Sequence, residues 1–242
     1  MHRMNHLNAR IHVYEILASV FRPPDDVSSG AEESEGRLLE RLLNTVQECC
    51  GISARCCLRP GLMEEIRGLL RAFEEDEDQA GTLTRLAAEH TRLFVNAFPT
   101  LVAPPYESFY QEGRVMGKAA LDCRSIYAED GLTVREGGEL PDHILTQMEY
   151  LRFLCLGEKR AADEGETEAR GLLRERELSF IEEHILNWLP EYCGRIQSNS
   201  HEPYYRVLAR FMKNFMVLEY RNLNHPVELD PFEEVFNEVK KV

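Results

Sequence analysis

The chain is a succession of apolar stripes at three- and four-residue spacing, cut by short polar or proline-bearing stretches. Leu7, Ile11, Tyr14, Leu17 or Ala18, and Phe21 share one helical face, which Pro23-Pro24 ends. Leu38, Leu39, Leu42, Leu43 and Val46 mark a second helix, and Leu62, Ile66, Leu69, Leu70 and Phe73 a third. Leu83, Leu86, Ala87, His90, Leu93 and Phe94 make a fourth, which stops before Pro99. A fifth is predicted from about Gly113 to Glu129, with Gly131 at its C-cap. Pro141 suits the first turn of another helix, on which Ile144, Leu145, Met148, Leu151 and Leu154 recur. Leu172 to Trp188 reads as one more helix stopped by Pro190, and Pro203 opens a helix carrying Tyr204, Leu208, Phe211, Met212 and Phe215. A short docking helix is expected after Pro226. No stretch alternates with a period of two.

This pattern predicts an all-α helical bundle of roughly ten helices forming a single domain over residues 1–242. Its sub-halves, about 1–130 and 141–242, meet at a linker over 131–140. Two places interrupt the regular pattern. The segment from Asn96 to Tyr106 holds three of the chain's eleven prolines, an ordered loop of the kind that carries function. Asp142 and His143 form a polar pair at the mouth of a helix whose other face is core.

Composition narrows what these places can do. With 43% hydrophobic and 29% charged residues, the balance is that of an ordinary globular chain. No apolar run reaches the ~18 residues that span a bilayer, and the N-terminus has no export-signal pattern, so a cytoplasmic protein without membrane insertion is expected. A net charge of −14 argues against nucleic acid and permits a basic partner. Seven cysteines are an odd count for a disulfide framework, so free thiols are expected. Cys49, Cys50, Cys56 and Cys57 could ligate a metal or cluster if their loop folded back, although adjacent pairs are not the usual ligand spacing.

Catalytic motifs are missing. There is no HExxH, nucleophile elbow, P-loop or dinucleotide-binding glycine pattern. Asp142 and His143 could serve as an acid/base pair, yet no nucleophile accompanies them. Pro104-Pro105-Tyr106-Glu107-Ser108-Phe109-Tyr110 instead sets three aromatic rings and a carboxylate after two rigid prolines, a preformed surface for a ligand or an anchor for the loop.

The ordered set of motifs resembles the TorD/DmsD/NarJ redox-enzyme maturation chaperones. It comprises Glu89-His90-Thr91-Arg92-Leu93-Phe94, Pro105-Tyr106-Glu107-Ser108-Phe109-Tyr110, Pro141-Asp142-His143-Ile144 with Met148-Glu149-Tyr150-Leu151, Phe180 to Ile185, Trp188-Leu189-Pro190 and Pro203-Tyr204-Tyr205. The resemblance implies an all-helical cytoplasmic chaperone without turnover or cofactor. Its partner would be the catalytic subunit of a molybdopterin-dependent oxidoreductase. Such chaperones bind that subunit's twin-arginine leader, or an equivalent N-terminal segment, until molybdopterin is inserted. Carried over, the binding residues are Leu93, Phe94, Pro105, Tyr106, Ser108, Tyr110, Asp142 and His143. Physical reasoning adds Glu107, which with Asp142 would receive the leader's guanidinium groups while His143 orients Asp142. Some members carry a tryptophan in the loop region, whereas this chain has Tyr106 there and its only tryptophan is Trp188. The resemblance also implies a monomer or a domain-swapped dimer, for which a hinge between Gly131 and Glu139 would be the natural place.

Overall fold

The computed structural model of the chain describes residues 6–24, 35–48, 60–97 and 100–224. Among these it is all-α, with ten α-helices and no strand. They are α1 (His6–Val20), α2 (Glu35–Glu48), α3 (Pro60–Glu74), α4 (Gln79–His90), α5 (Glu107–Glu112), α6 (Lys118–Glu129), α7 (Ile144–Glu164), α8 (Thr167–His184), α9 (Leu189–Asn199) and α10 (Pro203–Asn224). A single π-helical turn, Thr91–Val95, prolongs α4. The four clustered cysteines and the helix expected after Pro226 lie outside the described residues.

α1 was expected to bury one face, but it is buried almost all round, from Leu7 and Ala9 through Tyr14 to Val20. It runs along α7 and α2, and α7 packs along α8, so the first helix shares one core with the second half of the chain. Inside that core lies a charge cluster that periodicity gives no sign of. The fully buried Arg10 donates to Glu158 at 2.7 Å, Glu177 at 2.5 Å and Glu219 at 2.5 Å. Glu158 also receives the half-buried Arg174 at 2.9 Å.

Three boundaries differ from the sequence expectation. The helix predicted from Gly113 is broken into α5 and α6, because Gly113 and Met116 both take positive φ and turn the chain between them. Pro190 stands in the first turn of α9 rather than stopping the helix before it; α8 ends at His184, and Pro190's missing N–H is harmless in that first turn. α7 begins at Ile144, three residues past Pro141, because the His143 side chain supplies the cap by accepting from the Leu145 N–H at 3.1 Å.

Candidate functional site

The helix mouth is assembled from two segments that meet through their main chains. Tyr106 and His143 form an isolated antiparallel bridge. The Glu107 N–H donates to the Asp142 carbonyl at 3.0 Å, and the Ile144 N–H to the Pro105 carbonyl at 2.9 Å. Pro105 suits such a contact, since it gives up only an N–H and keeps its acceptor. The Asp142 carboxylate completes the joint by accepting from the Ser108 N–H at 2.9 Å. That bond satisfies one of the free N–H groups at the start of α5.

Asp142 is therefore fully enclosed, and it faces α5 rather than solvent. Glu107 is buried too, accepting from Gln147 Nε2 at 2.7 Å and lying 3.2 Å from His184 Nδ1. Neither carboxylate is therefore exposed to receive a guanidinium from outside, contrary to the sequence expectation. His143 does not orient Asp142: its Nδ1 caps α7, and its Nε2 lies 3.5 Å from Glu139. Burial pushes the imidazole down to about 3, so it stands neutral. Having lost its exposed acid, the acid/base pair does not exist as a unit. Two other buried histidines also have partners: His90 Nε2 meets the Phe21 carbonyl at 3.1 Å, and His184 meets Glu107.

The predicted aromatic surface is divided between two tasks. Tyr106 crosses the His143 ring edge-on, with centroids 5.1 Å apart, and lines a hollow of about 290 Å³ with Phe94, Pro105, His90, Phe21 and Tyr192. Tyr110 turns inward against Trp188 at 5.3 Å, beneath the Arg195 guanidinium, and anchors α5. Leu93 is fully buried; its carbonyl accepts from the Ala103 N–H at 2.9 Å and pins the loop that carries Pro105. The π turn sets Phe94 toward the hollow and leaves Val95 exposed beside it. Ser108 is enclosed and contributes its N–H, not its hydroxyl.

A second, larger hollow of about 820 Å³ adjoins the first and shares Pro23, Glu139 and Leu145 with it. Its walls include Tyr150 and Phe153 of α7 and the segment 132–138. Together the two hollows form a groove along the start of α7, with apolar side chains on its floor and Glu139, Glu149, Arg22 and Arg135 among its lining. Glu139 and Glu149 are the rim carboxylates, each with about half its side chain exposed. Glu149 is taken by Arg22 at 2.5 Å, an exposed pair at the end of α1. Sequence reasoning missed Pro23, Glu139, Glu149, Phe153 and Tyr192. The available signal was Phe153, a large apolar residue off the stripe of Ile144, Leu145, Met148, Leu151 and Leu154 and one turn past Glu149.

The helical body frames an aromatic groove with main-chain bonds and a neutral imidazole. It belongs to the class of assembly chaperones, not enzymes. More particularly, the chain belongs to the nitrate reductase delta subunit family, the TorD family of redox-enzyme maturation chaperones, whose profile matches residues 57–194. It is 26% identical over 213 residues to a perchlorate reductase assembly chaperone protein of Dechloromonas aromatica, covering 86% of this chain and 87% of that one. It is 26% identical over 165 residues to the chaperone protein TorD of Photobacterium profundum, covering 67% and 74% respectively. A crystal structure assigned to redox enzyme maturation in Archaeoglobus fulgidus shares the fold, with a TM-score of 0.52 and 20% identity over 90% of this chain and 98% of that one.

Proposed function

We propose that the groove receives the twin-arginine leader, or an equivalent N-terminal segment, of the catalytic subunit of a molybdopterin-dependent oxidoreductase. Binding holds that subunit in the cytoplasm until its cofactor is in place. The observation that carries this reading is the union of an aromatic floor, Phe94 to Phe153, with exposed carboxylates at Glu139 and Glu149. An apolar helix-prone stretch suits the floor, as in helix-in-groove recognition. Guanidinium forks suit the two rim carboxylates through charge-assisted bonds. In this reading Phe94, Pro105, Tyr106 and His143 touch the peptide. Leu93, Glu107, Ser108, Tyr110 and Asp142 hold those residues from behind.

Calorimetry with a synthetic twin-arginine leader tests the proposal. The double-lysine leader should bind roughly tenfold or more weakly, since lysine cannot make the bidentate contact. Tyr106→Ala and the double variant Glu139→Gln/Glu149→Gln should each weaken the arginine leader by a similar factor while helicity stays unchanged. Equal affinity for both leaders in all these proteins would refute the reading.

A further inference from the structure

A separate hollow of about 490 Å³ shares no residue with the groove and opens onto Glu107 and His184. Glu107 from α5 and His184 from α8, which line it, meet Cys123 from α6 in a buried cluster of three different chemistries. Cys123 Sγ is 3.6 Å from His184 Nδ1 and 3.7 Å from Glu107 Oε2, and His184 Nδ1 is 3.2 Å from each carboxylate oxygen. A tetrahedral zinc ion with ordinary bond lengths requires donor separations of about 3.6 Å for sulfur–nitrogen and sulfur–oxygen and about 3.4 Å for nitrogen–oxygen. The observed triangle departs from those edges by only a few tenths of an ångström. We propose that Glu107, Cys123 and His184 bind one zinc-class divalent cation, with a water from the adjoining hollow as fourth ligand.

The chemistry of the set supports the assignment independently of the leader reading. A thiolate, an imidazole and a carboxylate together select a borderline cation over magnesium or calcium. One thiolate and one carboxylate neutralise a dication, so the loaded site carries no net charge into the interior. Gln147, fully buried, already donates to Glu107 Oε2 and to Cys123 Sγ at 3.7 Å, while its Oε1 has no partner. That side chain orders the carboxylate and sulfur as an outer-shell partner does. Without metal, burial and the neighbouring Glu107 push the Cys123 thiol up, so loading must expel its proton. A bound ion would fasten three helices together directly behind Tyr106.

The full chain, freed of metal by chelation, is titrated with cobalt(II) and then with zinc. The expected result is saturation at one cobalt per chain, with a near-ultraviolet thiolate-to-cobalt charge-transfer band that zinc displaces. Cys123→Ser, nearly isosteric, should lose the band and bind zinc at least roughly tenfold more weakly. His184→Gln should weaken zinc to a similar degree. Absence of a saturable band in the unmodified chain overturns the proposal without reference to any variant. A band that persists in Cys123→Ser assigns the cobalt to other thiols and overturns it equally.

Discussion

Two of the buried polar clusters in this molecule are built on opposite principles. Around Arg10, three carboxylates from α7, α8 and α10 surround one guanidinium in the core, and every bond runs from side chain to side chain. At the helix mouth, Asp142 and the Tyr106–His143 bridge are held by main-chain groups and a neutral imidazole. Charge dominates the first cluster: Glu177 and Glu219 each retain an oxygen without a partner, and burial raises the Glu177 carboxyl to about 7. Hydrogen bonds dominate the second. An ion cluster in a low-dielectric interior depends on each member, because removing one strands the others. A main-chain joint tolerates changes in neighbouring side chains so long as its geometry survives, which would suit the peptide-binding role proposed above.

The contrast can be broken most directly at Arg10. Arg10→Leu takes the guanidinium from buried Glu177 and Glu219, while Glu158 keeps Arg174, and should cost about 3–5 kcal/mol in denaturant unfolding; a change under 1 kcal/mol would mean that the cluster is held otherwise. At the mouth, Asp142→Ala leaves the Ser108 N–H without its acceptor and should cost about 1–3 kcal/mol. Asp142→Asn keeps an oxygen and should cost less. Equal losses for the two variants would show that the bond to Ser108 is not what Asp142 supplies.

The pH dependence separates the clusters by sign. Glu177 has a folded value of about 7 against 4.5 when unperturbed, so the folded state holds the extra proton. Its contribution to stability is complete below about 4.5 and is lost as pH rises toward 7. His143 runs the other way, at about 3 against 6.5, so its contribution is present above 6.5 and is lost as pH falls toward 3. Unfolding curves collected across this range should show Glu177→Gln removing the first slope and His143→Asn the second, with asparagine still able to cap α7. The smallest effect is expected at Arg22. Arg22→Ala should change stability by no more than ~0.5 kcal/mol. It nevertheless frees Glu149 and should tighten an arginine-bearing leader a few-fold in calorimetry; weaker binding would place Arg22 among the peptide contacts.

Legibility in the sequence followed the same division. Helices whose stripes repeat, such as Leu38 to Leu43 or Tyr204 to Phe215, could be read directly, because periodicity is a local property. Breaks that depend on backbone conformation could not: Met116 takes a left-handed φ that its residue type does not announce. The Arg10 cluster was invisible, since its partners lie 148, 167 and 209 residues away. For the same reason Glu107 and Asp142 were read as surface acceptors; a carboxylate in a proline-rich segment looks exposed until the N–H groups that enclose it are known. The meeting of the Pro105–Tyr106 and Asp142–His143 segments was legible as motif order, but which of their side chains face outward was not.

The main-chain joint at the helix mouth also bears on the order of events as the chain folds. Ser108 and Asp142 are 34 residues apart, and closing that distance requires the intervening helices to have docked. Isolated helical turns form within about a microsecond, whereas non-local contacts wait for the chain to find its topology. A nascent or partly unfolded copy would therefore be helical and yet have no groove. In mild denaturant, the proposed capture of a peptide should fail while circular dichroism still reports most of the helix, so that, on that proposal, only a finished copy of this protein would detain an unfinished client.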